Sequence, residues 1–241
     1  MRKEKKKRNL INFELRDNED LPILDFLNTL DKNKPYTFLE VGSGLCRFVD
    51  KIRVIYPNLE IVCFEINPDL SQLAYSKGYS IINEDILKNS LESNHYDIVH
   101  CSHVIEHFKY PEIIFVIDEL LRVTKLGAYC IIRTPLMSYS FYFDIDHVRP
   151  YPPEAIINYL NNDQQQRKGK NKVEIEKIWY RTEAKQFYHL YKSSFFFVLP
   201  FKYFFNKRID WINSKFIESW NKYRFPATKP NGYVMVVKKV S

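Results

Sequence analysis

The chain has little cysteine and lacks any apolar run long enough to cross a bilayer. Its four cysteines, Cys46, Cys63, Cys101 and Cys130, lie far apart, with no C-x-x-C pair. That spacing argues against a zinc site and a disulfide scaffold, and leaves buried free thiols in a reducing compartment. A spanning helix needs roughly 20 consecutive apolar residues, and no stretch approaches that. The start, Met1-Arg2-Lys3-Glu4-Lys5-Lys6-Lys7-Arg8, is basic, but the apolar segment of a secretory leader does not follow it. A cytoplasmic protein is the expectation. Internal repeats are absent too.

What remains is a chain of 241 residues with the composition of a soluble globular protein, long enough to bury a real core. The net charge of +7 suits an anionic partner or simple solubility, and the basic start supplies much of it. Residues 1–20 read as a basic, flexible lead-in, 21–241 as one domain, and 181–229 as an insertion within it.

Periodicity orders the domain. Leucines at 21, 24, 27 and 30 predict a short helix covering a sheet edge. Tyr36–Val41, Glu60–Glu65, Tyr79–Ile82, Tyr96–Ser102 and Ala128–Thr134 read as strands. Leu45–Tyr56, Pro68–Lys77 and Glu112–Val123, the last closed near Gly127, read as helices. Such alternation implies parallel βαβ units with helices on both faces. Beyond it, Pro152–Leu160 reads as a helix, Asn161–Lys172 as a polar loop, and Val173–Tyr180 and Tyr233–Val240 as strands.

The first strand ends in Phe38-Leu39-Glu40-Val41-Gly42-Ser43-Gly44-Leu45-Cys46. Glycine tolerates positive φ and lets a ligand approach the backbone. A helix starting after the turn offers free N–H groups and the positive end of its dipole. In such sheets ligands bind at the carboxyl ends of the strands. Glu65 lies about 20 residues further on, where an acid can accept both hydroxyls of a ribose. Asp85 follows the third strand, and Ser102-His103-Val104-Ile105-Glu106-His107-Phe108 follows the fourth.

These ordered motifs resemble the class I S-adenosylmethionine-dependent methyltransferases, over roughly residues 36–135. The resemblance implies a Rossmann-like α/β fold: a mostly parallel seven-stranded sheet, helices on both faces, and here a helical, aromatic-rich insertion before the last strand. It implies S-adenosylmethionine as cofactor. Glu40, Gly42 and Gly44 would cradle its methionine part, Glu65 its ribose, and Asp85 and Ile86 its adenine, with Ile66 and Ser102 also in contact. The chain departs from the pattern at Cys46, where many members carry a third glycine; a bulkier residue there could narrow the turn. A nicotinamide dinucleotide fits less well. Arg47 occupies the third position of that fingerprint, and Glu40 would repel a pyrophosphate.

Methyl transfer to a hydroxyl needs near-attack geometry and a base with pKa near neutrality. His103 and His147 are the candidates, and His107 reads as scaffold. A metal set of His147 with Asp144 and Asp146 is set aside, because such acids are usually solvated; no metal is expected. A nucleic-acid acceptor is disfavoured, since no Asn-Pro-Pro-Tyr-like segment follows the fourth strand, although an RNA methyltransferase stays as an alternative. So does a non-catalytic, methyltransferase-like scaffold. Residues 187–225 interleave many aromatic rings with lysines and arginines. That pattern suits a lid, core packing, or peripheral contact with an anionic membrane. A second, looser resemblance, to methyltransferases of bacterial surface polysaccharides, rests on His147-Val148-Arg149-Pro150-Tyr151-Pro152 and Asn231–Lys239. It implies a glycan or other small-molecule hydroxyl as acceptor.

Overall fold

The computed structural model describes residues 13–16, 19–161, 172–181, 208, 211–212 and 230–241. The chain divides into two compact units, Met1–Arg181 with Asn231–Ser241, and Thr182–Pro230. The expected insertion at 181–229, and with it the aromatic–basic segment 187–225, falls almost wholly outside the described residues.

The first unit is built on an eight-stranded sheet. Its strands are β1 (Phe13–Arg16), β2 (Tyr36–Val41), β3 (Leu59–Phe64), β4 (Ser80–Ile82), β5 (Tyr96–Ser102), β6 (Thr124–Pro135), β7 (Val173–Arg181) and β8 (Gly232–Lys239). They lie in the order β1-β7-β8-β6-β5-β2-β3-β4. All neighbouring pairs are parallel except those of β8, which runs antiparallel to β6 and β7. The seven expected strands are present, and β1 adds an eighth at the edge. Reading 1–20 as a lead-in outside the fold is therefore corrected: Phe13–Arg16 pair with Ile178–Arg181, and helix α1 (Asp20–Leu27) begins at residue 20. Phe13 and Leu15 alternate with Glu14 and Arg16, but four residues beside a basic stretch are too short a pattern to mark a strand.

Side chains alternate along each strand, so each strand feeds two cores. Phe38, Ile98, Ile131, Val234 and Val236 pack with α1, α2 (Arg47–Ile55) and α3 (Pro68–Ser76) on one face. Leu39, Val99, Cys101, Ile132 and Met235 pack with α4 (Glu112–Val123) and α5 (Pro153–Leu160) on the other. All four cysteines are free and buried. Helix α3 starts as its sequence dictates: Pro68 needs no amide partner at the first position, and Asn67 Oδ1 accepts from Asp69 and Leu70.

Gly127 does not close α4. The chain passes directly from Val123 into β6, and the register with β5 jumps from Tyr96↔Thr124 to Ile98↔Tyr129. Gly127, with φ of 78°, sits in the stretch that this jump leaves out of register, a local geometry that favours glycine in a strand. Asp97 pins this end of the sheet: it accepts from Thr37 and Lys125. Burial opposes its charge, but these donors hold its carboxyl below the usual range.

Candidate active site

The glycine turn lies between β2 and α2, at the carboxyl ends of the central strands. Gly42, Gly44 and Cys46 have φ of 74°, 50° and 64°. A Cβ on Gly42 would meet Val104 Cγ2 at 2.4 Å, whereas one on Gly44 would meet nothing within 4 Å. Gly42 is thus needed for close packing against the loop after β5, and Gly44 faces open space. Gly42→Ala is expected to cost at least about 2 kcal/mol, from the positive φ and from overpacking. Gly44→Ala should cost about 1 kcal/mol in φ strain and act mainly on ligand binding. Urea denaturation of both variants checks the contrast, and equal losses would contradict it.

Cys46 takes the left-handed conformation that a third glycine would have taken. Its side chain is fully buried among Phe48, Val49 and Cys63, so it fills the core instead of narrowing the turn.

Glu65 reaches back to this turn. Its Oε2 accepts from the Gly44 amide at 2.8 Å, and its Oε1 from the Asn67 amide at 3.0 Å. The next residue, Ile66, is 62% exposed, an apolar side chain in water beside the acid. Asp85 caps the short 3-10 turn Ile86–Lys88 by accepting from Leu87, and Ile86 is buried. Ser43 is buried in the turn, with its hydroxyl beside the Cys46 and Cys63 thiols. The open space over Gly44 and the acid at Glu65 fit an adenosine-type group with a polar tail.

Glu40 lies beneath the turn and does not face solvent. It and His100 are register partners on β2 and β5, both buried on the α1–α3 face. His100 Nδ1 donates to Glu40 Oε2 at 2.7 Å, and the His100 ring packs 4.8 Å from that of Phe48. His100 was not among the expected residues. A histidine inside the otherwise apolar stretch Ile98-Val99-His100-Cys101, level with an acid on the adjacent strand, was the available signal.

The loop after β5 carries the histidines. His103 has φ of 54°, and a 3-10 turn at Ile105–His107 follows, so His103 and His107 do not share a helix face. His103 Nε2 lies 3.2 Å from Glu19 Oε2, and Nδ1 lies 3.2 Å from Glu106 Oε1. Burial opposes its charge, but Glu106 and Glu19 outweigh that and raise its pKa to about 9. At neutral pH His103 is a cation, which corrects its reading as a general base. Because this pKa lies above the unfolded value near 6.5, the stability it contributes is complete below about pH 6.5 and is lost as pH rises through about 9. Thermal melts in EDTA should show wild type losing its advantage over His103→Gln across that window; parallel curves would contradict the assignment.

Glu19 was missed because it lay in the supposed lead-in. It also bonds Arg181 at 2.5 Å, while Asp20 pairs with Arg133 at 2.6 Å and with Lys51. Arg133 in turn donates to Ser102 Oγ at 2.7 Å, so that hydroxyl already accepts from protein. These pairs latch the start of α1 across the ends of β5, β6 and β7.

His147 comes from the segment after β6. Its Nδ1 donates to the Phe141 carbonyl at 2.7 Å, and its Nε2 faces Glu106 Oε1 at 3.9 Å. Glu106 is thus the hub: fully buried, bonded by the Thr134 hydroxyl at 2.9 Å, and next to both His103 and His147.

A family model described as a methyltransferase domain matches residues 15–196. No curated protein matches the chain. A SAM-dependent methyltransferase from Archaeoglobus fulgidus is 21% identical, with a TM-score of 0.60 over 91% of this chain and 92% of its own. Phosphoethanolamine N-methyltransferase 2 of Haemonchus contortus, solved with S-adenosyl-L-methionine, is 14% identical, with a TM-score of 0.57 over 92% of this chain and 52% of its own. The cyclase SpnF is 13% identical, with a TM-score of 0.53 over 90% and 80%. These likenesses share the fold. With the family match spanning most of the sheet and the glycine turn, the chain belongs to the methyltransferase domain family, in its class I, Rossmann-like form.

Proposed function

We propose that the chain transfers a methyl group from S-adenosylmethionine to a hydroxyl of a glycan or another small molecule. The observation that carries the cofactor is the Gly42–Gly44 turn, open over Gly44 and held from behind by Glu65. Glu65 would accept the ribose hydroxyls, with Ile66 and Ile86 against the adenine and Asp85 at its amino group. Glu40, buried under the turn, would supply negative charge beneath the ammonium of the methionine part, and Ser102 would line the same end.

The sulfonium supplies an already activated methyl group. The protein's task is then to align an acceptor, exclude water and deal with the hydroxyl proton. His103, held as a cation, does not take that proton. His147 keeps a lone pair on Nε2 in its neutral form and is the nitrogen offered to the acceptor side. His147→Gln is expected to lower turnover by about 100-fold and leave cofactor affinity unchanged. Radiolabelled methyl transfer to a panel of glycans and hydroxylated small molecules measures the first, calorimetry the second. Unchanged turnover would remove His147 from the mechanism.

The scaffold alternative drew on Cys46 blocking the turn, and that motive weakens once the thiol points into the core. Among the described residues no helix is long and apolar enough to cross a membrane. Peripheral contact with an anionic membrane through 187–225 is kept as part of the proposal.

A further inference from the structure

We propose that Glu106, His107 and His147 form a binding site for a divalent transition-metal ion. Their ligand atoms lie within 4.8 Å of one another. They come from two segments distant in sequence, the turn after β5 and the stretch after β6.

Both histidines are held for coordination. His147 Nδ1 donates to the Phe141 carbonyl at 2.7 Å, and His107 Nδ1 to the Asp146 carbonyl at 3.0 Å. A carbonyl oxygen only accepts, so the hydrogen sits on Nδ1 in each ring. The lone pair of the neutral ring is then on Nε2. Metal-binding histidines are commonly oriented in this way, by an acceptor on the far nitrogen.

The carboxylate is held as well. Glu106 is fully buried and its Oε2 accepts from Thr134. Its Oε1 faces His147 Nε2 at 3.9 Å and His103 Nδ1 at 3.2 Å. This oxygen, shared between His103 and His147, is the carboxylate atom that a metal ion would take beside the two imidazoles. Asp144 Oδ2, 3.8 Å from His147 Nε2, is within reach as a fourth ligand.

Two imidazoles and one carboxylate suit zinc, iron or cobalt and not magnesium or calcium, which take oxygen sets. Metal–ligand distances of about 2.0–2.2 Å need the ligand atoms somewhat closer together. This set replaces the one suggested by sequence spacing: Asp146 contributes its carbonyl to orient His107, and Glu106 and His107 join His147 as ligands. With an ion in place, His147 would serve the acceptor as a ligand and not as a base. The binding itself does not depend on the methyl-transfer reading.

The test is a titration of the full chain with Co²⁺ alone, followed by the visible ligand-field absorption, in wild type, His107→Gln, His147→Gln and His95→Gln. The expected result is one equivalent bound by wild type and His95→Gln, with affinity lowered about tenfold or more in the other two. His107 is exposed, so its variant should fold normally, and circular dichroism checks each protein. No absorption change in folded wild type, or wild-type titration by a His107→Gln/His147→Gln double variant, would overturn the site.

Discussion

Glu65→Ala should lose S-adenosylmethionine binding by about 100-fold or more. A carboxylate accepting two ribose hydroxyls makes two charge-assisted hydrogen bonds, each worth about 1.5–3 kcal/mol. Together they correspond to at least a hundredfold in affinity, at about 1.4 kcal/mol per factor of ten. In the structure the same two oxygens hold the amides of Gly44 and Asn67. The acid therefore also fixes the turn that receives the cofactor, and alanine removes both functions. Glu65→Gln separates them, since it keeps shape and one acceptor oxygen but loses the charge. It is expected to fall between wild type and alanine. Calorimetry on variants shown to be folded gives the comparison, and an alanine variant that binds as wild type does would place the ribose elsewhere.

His100→Leu should destabilise the fold by about 1–3 kcal/mol, the usual cost of leaving a buried polar group without its hydrogen-bond partner. Glu40 and His100 are registered partners on adjacent central strands, their contact is 2.7 Å, and neither is reached by solvent. Leucine fills the space but leaves Glu40 without its donor. Replacing both residues by leucine should recover much of the loss, because an apolar pair of similar volume is often neutral or better. Urea denaturation of the two single variants and the double gives the coupling. Additive single losses would show that the two residues do not act as a pair. The double variant should still bind the cofactor poorly if Glu40 contributes charge beneath the turn.

The strands were readable because their apolar runs are bounded by glycine and proline, and β2, β5 and α4 have the boundaries that periodicity gave. Two features were not readable. Strand β1 is only four residues long, too short for its alternation to stand out, so its pairing with β7 could not be seen in residues 13–16. The role of Gly127 was misread: it looks like a helix stop, whereas α4 ends at Val123 and Gly127 belongs to a register jump against the neighbouring strand.

At the site, the glycines and acids were legible because backbone conformation and charge at a strand end are local properties. The hub at Glu106 was not. Its partners, His103, Thr134 and His147, and the Glu19 that shares His103, are brought together only by folding, and a sequence shows no distance between residues 19 and 147. For the same reason His103 read as a base, when its two carboxylates make it a cation.

The most direct measurement of the central claim is a calorimetric titration of the purified chain with S-adenosylmethionine, with NAD as the control ligand. The account predicts one site of roughly micromolar affinity, or about 8 kcal/mol, for S-adenosylmethionine and no heat with NAD. Folded protein that ignores S-adenosylmethionine, or binds NAD equally well, would contradict it.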